Sequence, residues 1–282
     1  MKKFYLLIII IFNVSFLIAN ELKIVTIGGS VTETVFSLGQ GDKVIAVDLS
    51  SKIPEKVTLL PQVGYVRAIS SEGILSMYPD IILTTSDIGP PKVISQIEDS
   101  GVTIQIFESP KDFNGILELI DEIGKYLDVT EEAQLLNKKI LNEKEKLDLS
   151  KNSFSEKPKI IFFYNPSENS FLAAGSDTKG SYLIEFLGGI NVFKDEFSKY
   201  KKITKEDIVS YNPDVILVGS SRGQNIDQLL SIFTDKIEFE TVTAVKEDKV
   251  IFTDVSKYLT FGPSFIDNTS SLVRKINSID ND

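Results

Sequence analysis

Tyr65 and Arg67 form the pair whose residue types and spacing could do chemistry in this sequence. In extended chain, residues two apart point to the same side. A guanidinium beside a phenol favours the ionised phenolate, and a ferric ion would favour it more strongly. The pair is therefore a candidate phenolate site. The ordinary alternative is a half-buried aromatic ring beside a surface arginine.

The segment 61–80 must position this pair, and its pattern predicts a turn, a short helix and the start of a buried strand. Ser70 or Ser71 is a candidate helix cap, Glu72 falls in the first helical turn, and Pro79 ends the helix. The phenol and the guanidinium then lie on irregular chain just before a helix, where binding residues are commonly displayed.

Two residue types are missing altogether, since the chain contains neither cysteine nor histidine. Their absence removes the usual ligands for zinc or copper, and it removes Ser-His-Asp and Cys-His catalysis. No GxxxxGK[ST] nucleotide-binding pattern occurs either. These absences argue against enzymes that depend on histidine, on cysteine or on that nucleotide-binding loop.

The first residues predict export across a membrane. Lys2 and Lys3 precede an apolar run from Phe4 to Phe12, and Ala19 is a small residue suited to cleavage. This pattern is typical of a signal peptide over residues 1–19, with a retained N-terminal anchor as the alternative. Without cysteine there is no lipid-attachment site, so we expect a soluble, monomeric periplasmic protein. A net charge of −10 argues against nucleic-acid binding.

The order of predicted elements indicates an α/β protein with two lobes. Strands and helices alternate with short connections at first, which is typical of a parallel sheet. Within them, Ser30 and Glu33 match a capping box. A helical stretch of about 20 residues follows, and strand–helix alternation then resumes. We interpret this stretch as a strut between two lobes, although an ordinary surface helix would show the same charged pattern. The predicted boundaries divide the mature chain into segments 20–127, 128–152 and 153–282.

The two halves of the chain repeat each other. SSEGILSMYPDIILT (70–84) aligns without gaps on TKEDIVSYNPDVILV (204–218), and Glu72 corresponds to Glu206. Two similar α/β lobes form a cleft between them, with the site beyond the carboxyl ends of the strands. Four segments fall at such ends: Gly28–Ser30, Ser86–Pro91, Gly175–Lys179 and Ser220–Gln224.

Several motifs together resemble a known family. IGGSVTETVFSLG, the run G-Y-x-R-x-x-S-x-E-G, DIGPP, AAGSDTKGSYLIEFLGGINVF, PDVILVGSSRG and FGPS are similar to segments of the periplasmic substrate-binding proteins of bacterial haemin ABC importers. Those proteins have two Rossmann-like lobes joined by a long backbone helix, and their relatives bind ferric siderophores or vitamin B12. The resemblance covers essentially the whole mature chain, and the G-Y-x-R run is its most specific part.

The resemblance implies a role for each of four residues. Tyr65 would be the axial ligand of ferric haem iron, and Arg67 would hold the phenolate. Glu72 and Glu206 would be charges that dock on an inner-membrane ABC permease. A hard phenolate oxygen suits Fe(III), in agreement with the first of these roles. For the two glutamates, the alternative is that each stabilises the start of its helix.

Other haem contacts are suggested less specifically. Candidates for binding the propionates or packing on the porphyrin are Lys179, Arg222, Thr178, Tyr164, Phe171 and Tyr200. The sequence also departs from the family, since Ser264 stands where the resemblance implies arginine. No histidine is present to hold a second haem. The alternatives kept open are a ferric siderophore or cobalamin as ligand, an exported enzyme that degrades haem or cleaves phosphate esters, and a surface adhesin.

Overall fold

The structure, a computed structural model, describes residues 22–151, 156–220 and 225–277. The signal peptide predicted for residues 1–19 and the candidate contact Arg222 lie outside the described residues. Within the described ranges, no helix combines the length and the apolar character that crossing a membrane requires.

Two α/β lobes make up the described chain. The N-terminal lobe contains β1 (Ile24–Ile27), α1 (Gly29–Ser37), β2 (Val44–Val47), β3 (Gly64–Tyr65), β4 (Ala68–Ile69), α2 (Ser71–Leu75), β5 (Ile81–Thr85), α3 (Pro91–Asp99), β6 (Thr103–Phe107) and α4 (Phe113–Tyr126). Helix α5 (Thr130–Lys151) follows. The C-terminal lobe contains β7 (Lys159–Tyr164), β8 (Phe171–Ala173), α6 (Lys179–Phe186), β9 (Ile190–Asn191), β10 (Lys201–Ile203), α7 (Lys205–Tyr211), β11 (Val215–Ser220), α8 (Ile226–Thr234), α9 (Thr243–Lys246), β12 (Val250–Asp254), α10 (Val255–Tyr258) and α11 (Phe265–Asn277).

The N-terminal sheet is parallel throughout, as the strand–helix alternation predicts. Its order is β2-β1-β5-β6. Strands β1 and β5 are buried at every position, because helices cover both faces of the sheet. The hairpin β3–β4 stands apart from this sheet as a two-stranded unit.

The C-terminal sheet is mixed. Its order is β10-β8-β7-β11-β12, and β9 also pairs with β7. Strands β7, β11 and β12 are parallel, whereas β8 runs antiparallel to β7 and β10 antiparallel to β8. Only residues 165–170 connect β7 to β8, a connection too short for the crossover that a parallel strand needs.

The sequence repeat is also a structural repeat. The Asp80 carboxylate accepts the Lys23 N–H at 2.8 Å, and the Asp214 carboxylate accepts the Lys159 N–H at 2.7 Å. Each aspartate therefore joins the start of one central strand to its parallel neighbour. Because the two lobes share this arrangement, both present the carboxyl ends of their strands in equivalent ways.

Helix α5 connects the lobes and packs on α4 and α11. Its 22 residues span about 33 Å at 1.5 Å per residue. One hydrophobic core continues from the N-terminal lobe through α5 into the C-terminal lobe. The predicted strut is therefore present as a helix, while the domain boundaries at residues 127 and 152 stay a prediction.

Aromatic contacts hold the lobes together beneath their facing edges. The Phe113 ring at the start of α4 stacks on Phe186 at 5.6 Å, and Phe186 packs on Phe265 at 5.0 Å. The Phe113 N–H also donates to the Tyr182 hydroxyl at 2.8 Å. Because these contacts are buried, packing in the hydrophobic core fixes how the two lobes are placed relative to each other.

The Glu33 side chain makes a second link between distant parts of the chain. The capping box predicted at Ser30 and Glu33 is wrong. Helix α1 begins at Gly29 after Gly28, whose φ of 102° suits glycine. The Glu33 carboxylate instead accepts the backbone N–H of Ser264, at the start of α11. A Cβ atom at Gly262 would lie 2.2 Å from Glu33 Oε2, so glycine allows this close approach. The glutamate of an S-x-x-E pattern, which is typical of a local helix cap, therefore contacts a residue 231 positions away in the sequence.

This buried carboxyl predicts a pH dependence of stability. Burial raises the pKa of Glu33, the hydrogen bonds from Ser264 partly offset the rise, and Asp267 adds to it. The native state therefore favours the neutral form, and stability is lost as the pH rises through the raised native pKa. Glu33→Gln stays neutral and keeps an oxygen acceptor for Ser264. We expect the variant to match the wild type near pH 4 and to be more stable at pH 8.

Urea unfolding at the two pH values measures this difference in the free energy of unfolding. A pKa difference of 1 between the native and unfolded states corresponds to about 1.4 kcal/mol. Glu118→Gln, a change at an exposed glutamate of α4, is the matched control and should leave the pH dependence unchanged. Equal destabilisation of Glu33→Gln at pH 4 and pH 8 would contradict the prediction.

Candidate functional site

Tyr65 lies on a hairpin that is fixed to the N-terminal lobe at several points. The Gly89 N–H donates to the Val66 carbonyl at 2.9 Å, and the Ile69 N–H donates to the Gly89 carbonyl at 3.1 Å. Val66 and Ile69 are buried in the core of the lobe. The hairpin is therefore a rigid support, although its strands are only two residues long.

The side chains of Tyr65 and Arg67 are displayed differently from the prediction. Residues 66 and 67 form the hairpin turn, so the extended geometry that would point both side chains to one side is absent. The Tyr65 side chain is 45% exposed and available to a ligand. Within the described chain, no hydrogen bond joins Tyr65 to Arg67. The structure thus places the two residues on one turn without pairing them.

Arg67 faces Asp87 instead. Its guanidinium Nη2 lies 3.7 Å from Asp87 Oδ1. The other oxygen of Asp87 accepts the Ser109 hydroxyl at 2.6 Å. Asp87 stands on the connection after β5, one of the strand ends where the sequence predicts the site. The N-terminal lobe therefore presents an exposed phenol, a guanidinium and an anchored carboxylate together.

Lys179 approaches this group from the C-terminal lobe. It is the first residue of α6, and its ammonium lies 4.8 Å from the centre of the Phe261 ring. Burial lowers the pKa of Lys179, nearby Asp87 opposes that effect, and Arg67 adds to the lowering. Arg67 and Asp87 of the N-terminal lobe therefore lie near Lys179 of the C-terminal lobe. We call the space between the lobes beside Arg67, Asp87, Lys179 and Phe261 the interlobe cleft, and the place of Tyr65 in this cleft is a prediction.

Thr178 is the N-cap residue of α6. Its hydroxyl accepts the Ser181 N–H at 3.0 Å and donates to the Gly175 carbonyl at 2.8 Å. Tyr200 lies beside the same helix start, and Gly180 and Thr178 partly offset the effect of burial on the pKa of its hydroxyl. Burial raises the pKa of Tyr200 to about 12. Thr178 therefore caps α6, and its side-chain oxygen is already used there.

The two remaining aromatic candidates differ in position. Tyr164 is partly buried and packs on Tyr200 at 5.6 Å, and a contact to a ligand stays a prediction. Phe171 was predicted as a porphyrin contact, and this is wrong. It is 3% exposed and packs against Phe163 and Phe233 in the core of the C-terminal lobe. The inward face of β8 carries it away from the cleft.

Charged side chains of the two lobes also come near each other at Asp177. Asp177 pairs with Lys199, and this hydrogen bond is the main reason that the pKa of Asp177 is lowered. Lys111, on the loop before α4, contributes a weaker lowering from the opposite lobe. Lys199 of the C-terminal lobe and Lys111 of the N-terminal lobe therefore both lie near Asp177.

The repeated glutamates occupy equivalent positions. Ser70 caps α2 and Thr204 caps α7, as the side-chain oxygen of each accepts a backbone N–H. Glu72 and Glu206 lie in the first turns of these helices, and both are exposed. Neither carboxylate has a hydrogen bond or ion pair in the described part of the chain. Each lobe thus displays one unpaired carboxylate at the same place.

The chain was compared with known proteins. Residues 24–256 match the family described as periplasmic binding protein. The chain belongs to the periplasmic binding protein family. That family accounts for the two-lobed α/β fold, and it confirms the fold class predicted from the sequence motifs.

Solved structures of periplasmic heme-binding proteins are similar to this periplasmic binding protein. The apo form of RhuT from Roseiflexus sp. RS-1 superimposes with a TM-score of 0.84 at 25% identity, covering 92% of this chain and 99% of that chain. BhuT in complex with two hemes gives a TM-score of 0.82 at 26% identity, covering 91% and 98%.

Curated relatives point to a second ligand. The vitamin B12-binding protein of Vibrio campbellii is 26% identical over 215 residues, covering 76% of this periplasmic binding protein and 77% of the relative. The vitamin B12-binding protein of Vibrio vulnificus (strain YJ016) is 25% identical over 218 residues. The comparisons thus agree on the family and include two kinds of ligand.

Three residues near the boundary between the lobes of this periplasmic binding protein were not predicted as site residues. Asp87 and Phe261 lie in the segments DIGPP and FGPS, and Lys111 lies on the loop after β6. Only the position of Asp87 at a strand end could have signalled its role. The approach of Phe261 to Lys179 depends on how the lobes pack, which the order of residues does not reveal.

Proposed function

We propose that this protein captures ferric haem in the interlobe cleft and delivers it to an inner-membrane ABC importer. The observation that carries the proposal is the exposed phenol of Tyr65 on a fixed hairpin at the cleft, with Arg67 on the same turn. Phenolate oxygen is a suitable ligand for Fe(III), and tyrosine is an established haem ligand. The similarity to heme-binding RhuT and BhuT supports the same ligand.

The chain's own residues supply the binding site in this proposal. Tyr65 provides the oxygen that coordinates the haem iron, and Arg67 holds that oxygen in its anionic form. Lys179 is the cation best placed for a propionate, and Arg222 remains a candidate outside the described residues. Tyr164 and Phe261 offer aromatic surface. Transport needs no bond chemistry from the chain, so haem is cargo and the protein acts as a binding protein rather than an enzyme.

The proposal also covers location and partners. Family membership indicates a periplasmic binding protein, and the predicted signal peptide ending near Ala19 would export it. We propose that the protein acts as a monomer and that Glu72 and Glu206 dock on the permease. The acidic composition supports the expectation that nucleic acid is not a partner.

Cobalamin is the second candidate ligand, since the vitamin B12-binding relatives favour it. A cobalamin or a ferric siderophore arrives with its metal already chelated, so Tyr65 would be dispensable. An absorption titration of residues 20–282 with hemin and with cyanocobalamin separates these proposals. We expect a saturable one-to-one complex with hemin and a high-spin ferric, tyrosinate-like spectrum. Saturable binding of cyanocobalamin without hemin binding would overturn the haem proposal.

The propionate role of Lys179 predicts a ligand-dependent effect. Lys179→Gln should lower the affinity for hemin by about 10- to 100-fold, because a charge-assisted hydrogen bond contributes on the order of 1.5–3 kcal/mol. Hemin dimethyl ester lacks the carboxylates, so its affinity should change little in the variant. Parallel titrations of both compounds measure the difference. An equal loss for both compounds would indicate that Lys179 supports the cleft structure instead.

A further inference from the structure

Asp87 holds a position that the proposed capture of haem leaves unexplained. Its carboxylate is anchored, because one oxygen accepts the Ser109 hydroxyl at 2.6 Å, a length typical of a strong charge-assisted bond. The Ser109 N–H also donates to the Ser86 hydroxyl at 3.1 Å, so the two loops are joined beside Asp87. The carboxylate therefore stays in place while its partners can move.

Arg67 is the mobile partner. Its side chain is 68% exposed, and 3.7 Å to Asp87 exceeds the distance of a direct charge-assisted hydrogen bond. Such an exposed pair is weak and easily exchanged. The backbone nevertheless keeps the two residues near each other, because the Gly89 N–H donates to the Val66 carbonyl. The proximity is thus built into the loops, while the ion pair itself is loose.

We propose that Asp87 competes with the Tyr65 phenolate for Arg67, and thereby sets how strongly Arg67 polarises the iron-bound oxygen. Asp87 is a positioning residue, since it acts through Arg67 and does not touch the haem. In the empty cleft the guanidinium faces the carboxylate. When the neighbouring Tyr65 becomes an anionic phenolate, the guanidinium has two acceptors and is shared between them. This inference rests on the proposed haem function.

The shared guanidinium has a spectroscopic consequence. A hydrogen bond to the phenolate oxygen lowers the energy of the oxygen electrons that are transferred to iron. The charge-transfer transition then needs more energy, so its absorption band moves to shorter wavelength. Asp87→Asn removes the competing charge but keeps an acceptor for Ser109. The band of the hemin complex should therefore move to shorter wavelength in Asp87→Asn. It should move to longer wavelength in Arg67→Ala, which removes the polarising group.

The double variant provides the decisive test. If Asp87 acts through Arg67, the shift caused by Asp87→Asn should disappear in the Arg67→Ala background. Ser109→Ala, which loosens the carboxylate, should give a smaller shift in the direction of Asp87→Asn. Asp99→Asn removes the same charge at the other end of α3 and should leave the band unchanged.

Each outcome bears on the inference in a definite way. An unchanged band in Asp87→Asn, a shift in the direction of Arg67→Ala, or a shift that persists without Arg67 would overturn the role of Asp87 and leave the haem function standing. Failure of the wild type to bind hemin would overturn the proposed function, and the role of Asp87 with it. The wild-type titration therefore distinguishes the two failures.

Discussion

Tyr65→Phe is expected to lower hemin affinity by more than about 100-fold and to remove the tyrosinate charge-transfer band. The substitution deletes one oxygen and keeps the ring that the hairpin positions. Loss of a residue that only supports a metal ligand costs about 10- to 100-fold in affinity, so loss of the ligand itself should cost more. Absorption titration with hemin measures both the affinity and the band.

A matched control is available at Tyr78, which is 80% exposed and lies on the turn before β5. Tyr78→Phe removes the same hydroxyl outside the cleft and should bind hemin like the wild type. If Tyr65→Phe kept both affinity and spectrum, the iron would be held by another group, or the ligand would arrive already chelated. Either result would withdraw Tyr65 from the site and favour a test of cobalamin or siderophore binding.

The helices were largely predictable because their signals are local. Ser70, Asp112 and Thr178 each accept a backbone N–H within three residues, so the cap and the helix are encoded together. The repeat was predictable for a related reason, since Asp80 and Asp214 stand at identical places in two similar segments. Short-range hydrogen bonds leave a pattern in the sequence that can be found without the fold.

The shortest strands were not predictable. Hairpin β3–β4 has two residues in each strand, and β10 has three, so neither shows an alternating pattern. These strands exist because other short strands pair with them, β4 with β3 and β8 with β10. The wrong prediction that the side chains of Tyr65 and Arg67 point to one side has the same origin. So short a segment carries no pattern that distinguishes extended chain from a tight turn.

Long-range roles were the least predictable. Glu33 has the local signature of a cap, yet its partner Ser264 lies at the other end of the chain. Phe171 follows a turn at a strand end, yet the pleat of β8 directs it into the core. Asp87 acquires its place beside Arg67 only when two loops meet. Such roles depend on tertiary packing, which determines the face of a strand or helix that is buried where the sequence pattern does not.

Glu72 and Glu206, the glutamates at equivalent positions of the two lobes, lead to a prediction about the delivery of hemin rather than its capture. Glu72→Gln and Glu206→Gln together should reduce hemin uptake by about 100-fold while leaving hemin affinity unchanged. Each single variant should reduce uptake by about tenfold, since loss of one charge from a complementary interface weakens docking. The free-energy costs of losing two distant contacts add, so the two tenfold losses multiply. Uptake in cells that depend on this importer measures the effect.

The structure provides a control with the same chemistry. Glu131 and Glu132 are also exposed glutamates in the first turn of a helix, α5. Glu131→Gln with Glu132→Gln removes an equal charge and should leave uptake unchanged. If that pair reduced uptake as strongly, net charge rather than the symmetric positions would explain the loss. If the Glu72 and Glu206 double variant retained uptake, the two carboxylates would be helix-start residues stabilised by the helix dipole, and docking would depend on another surface.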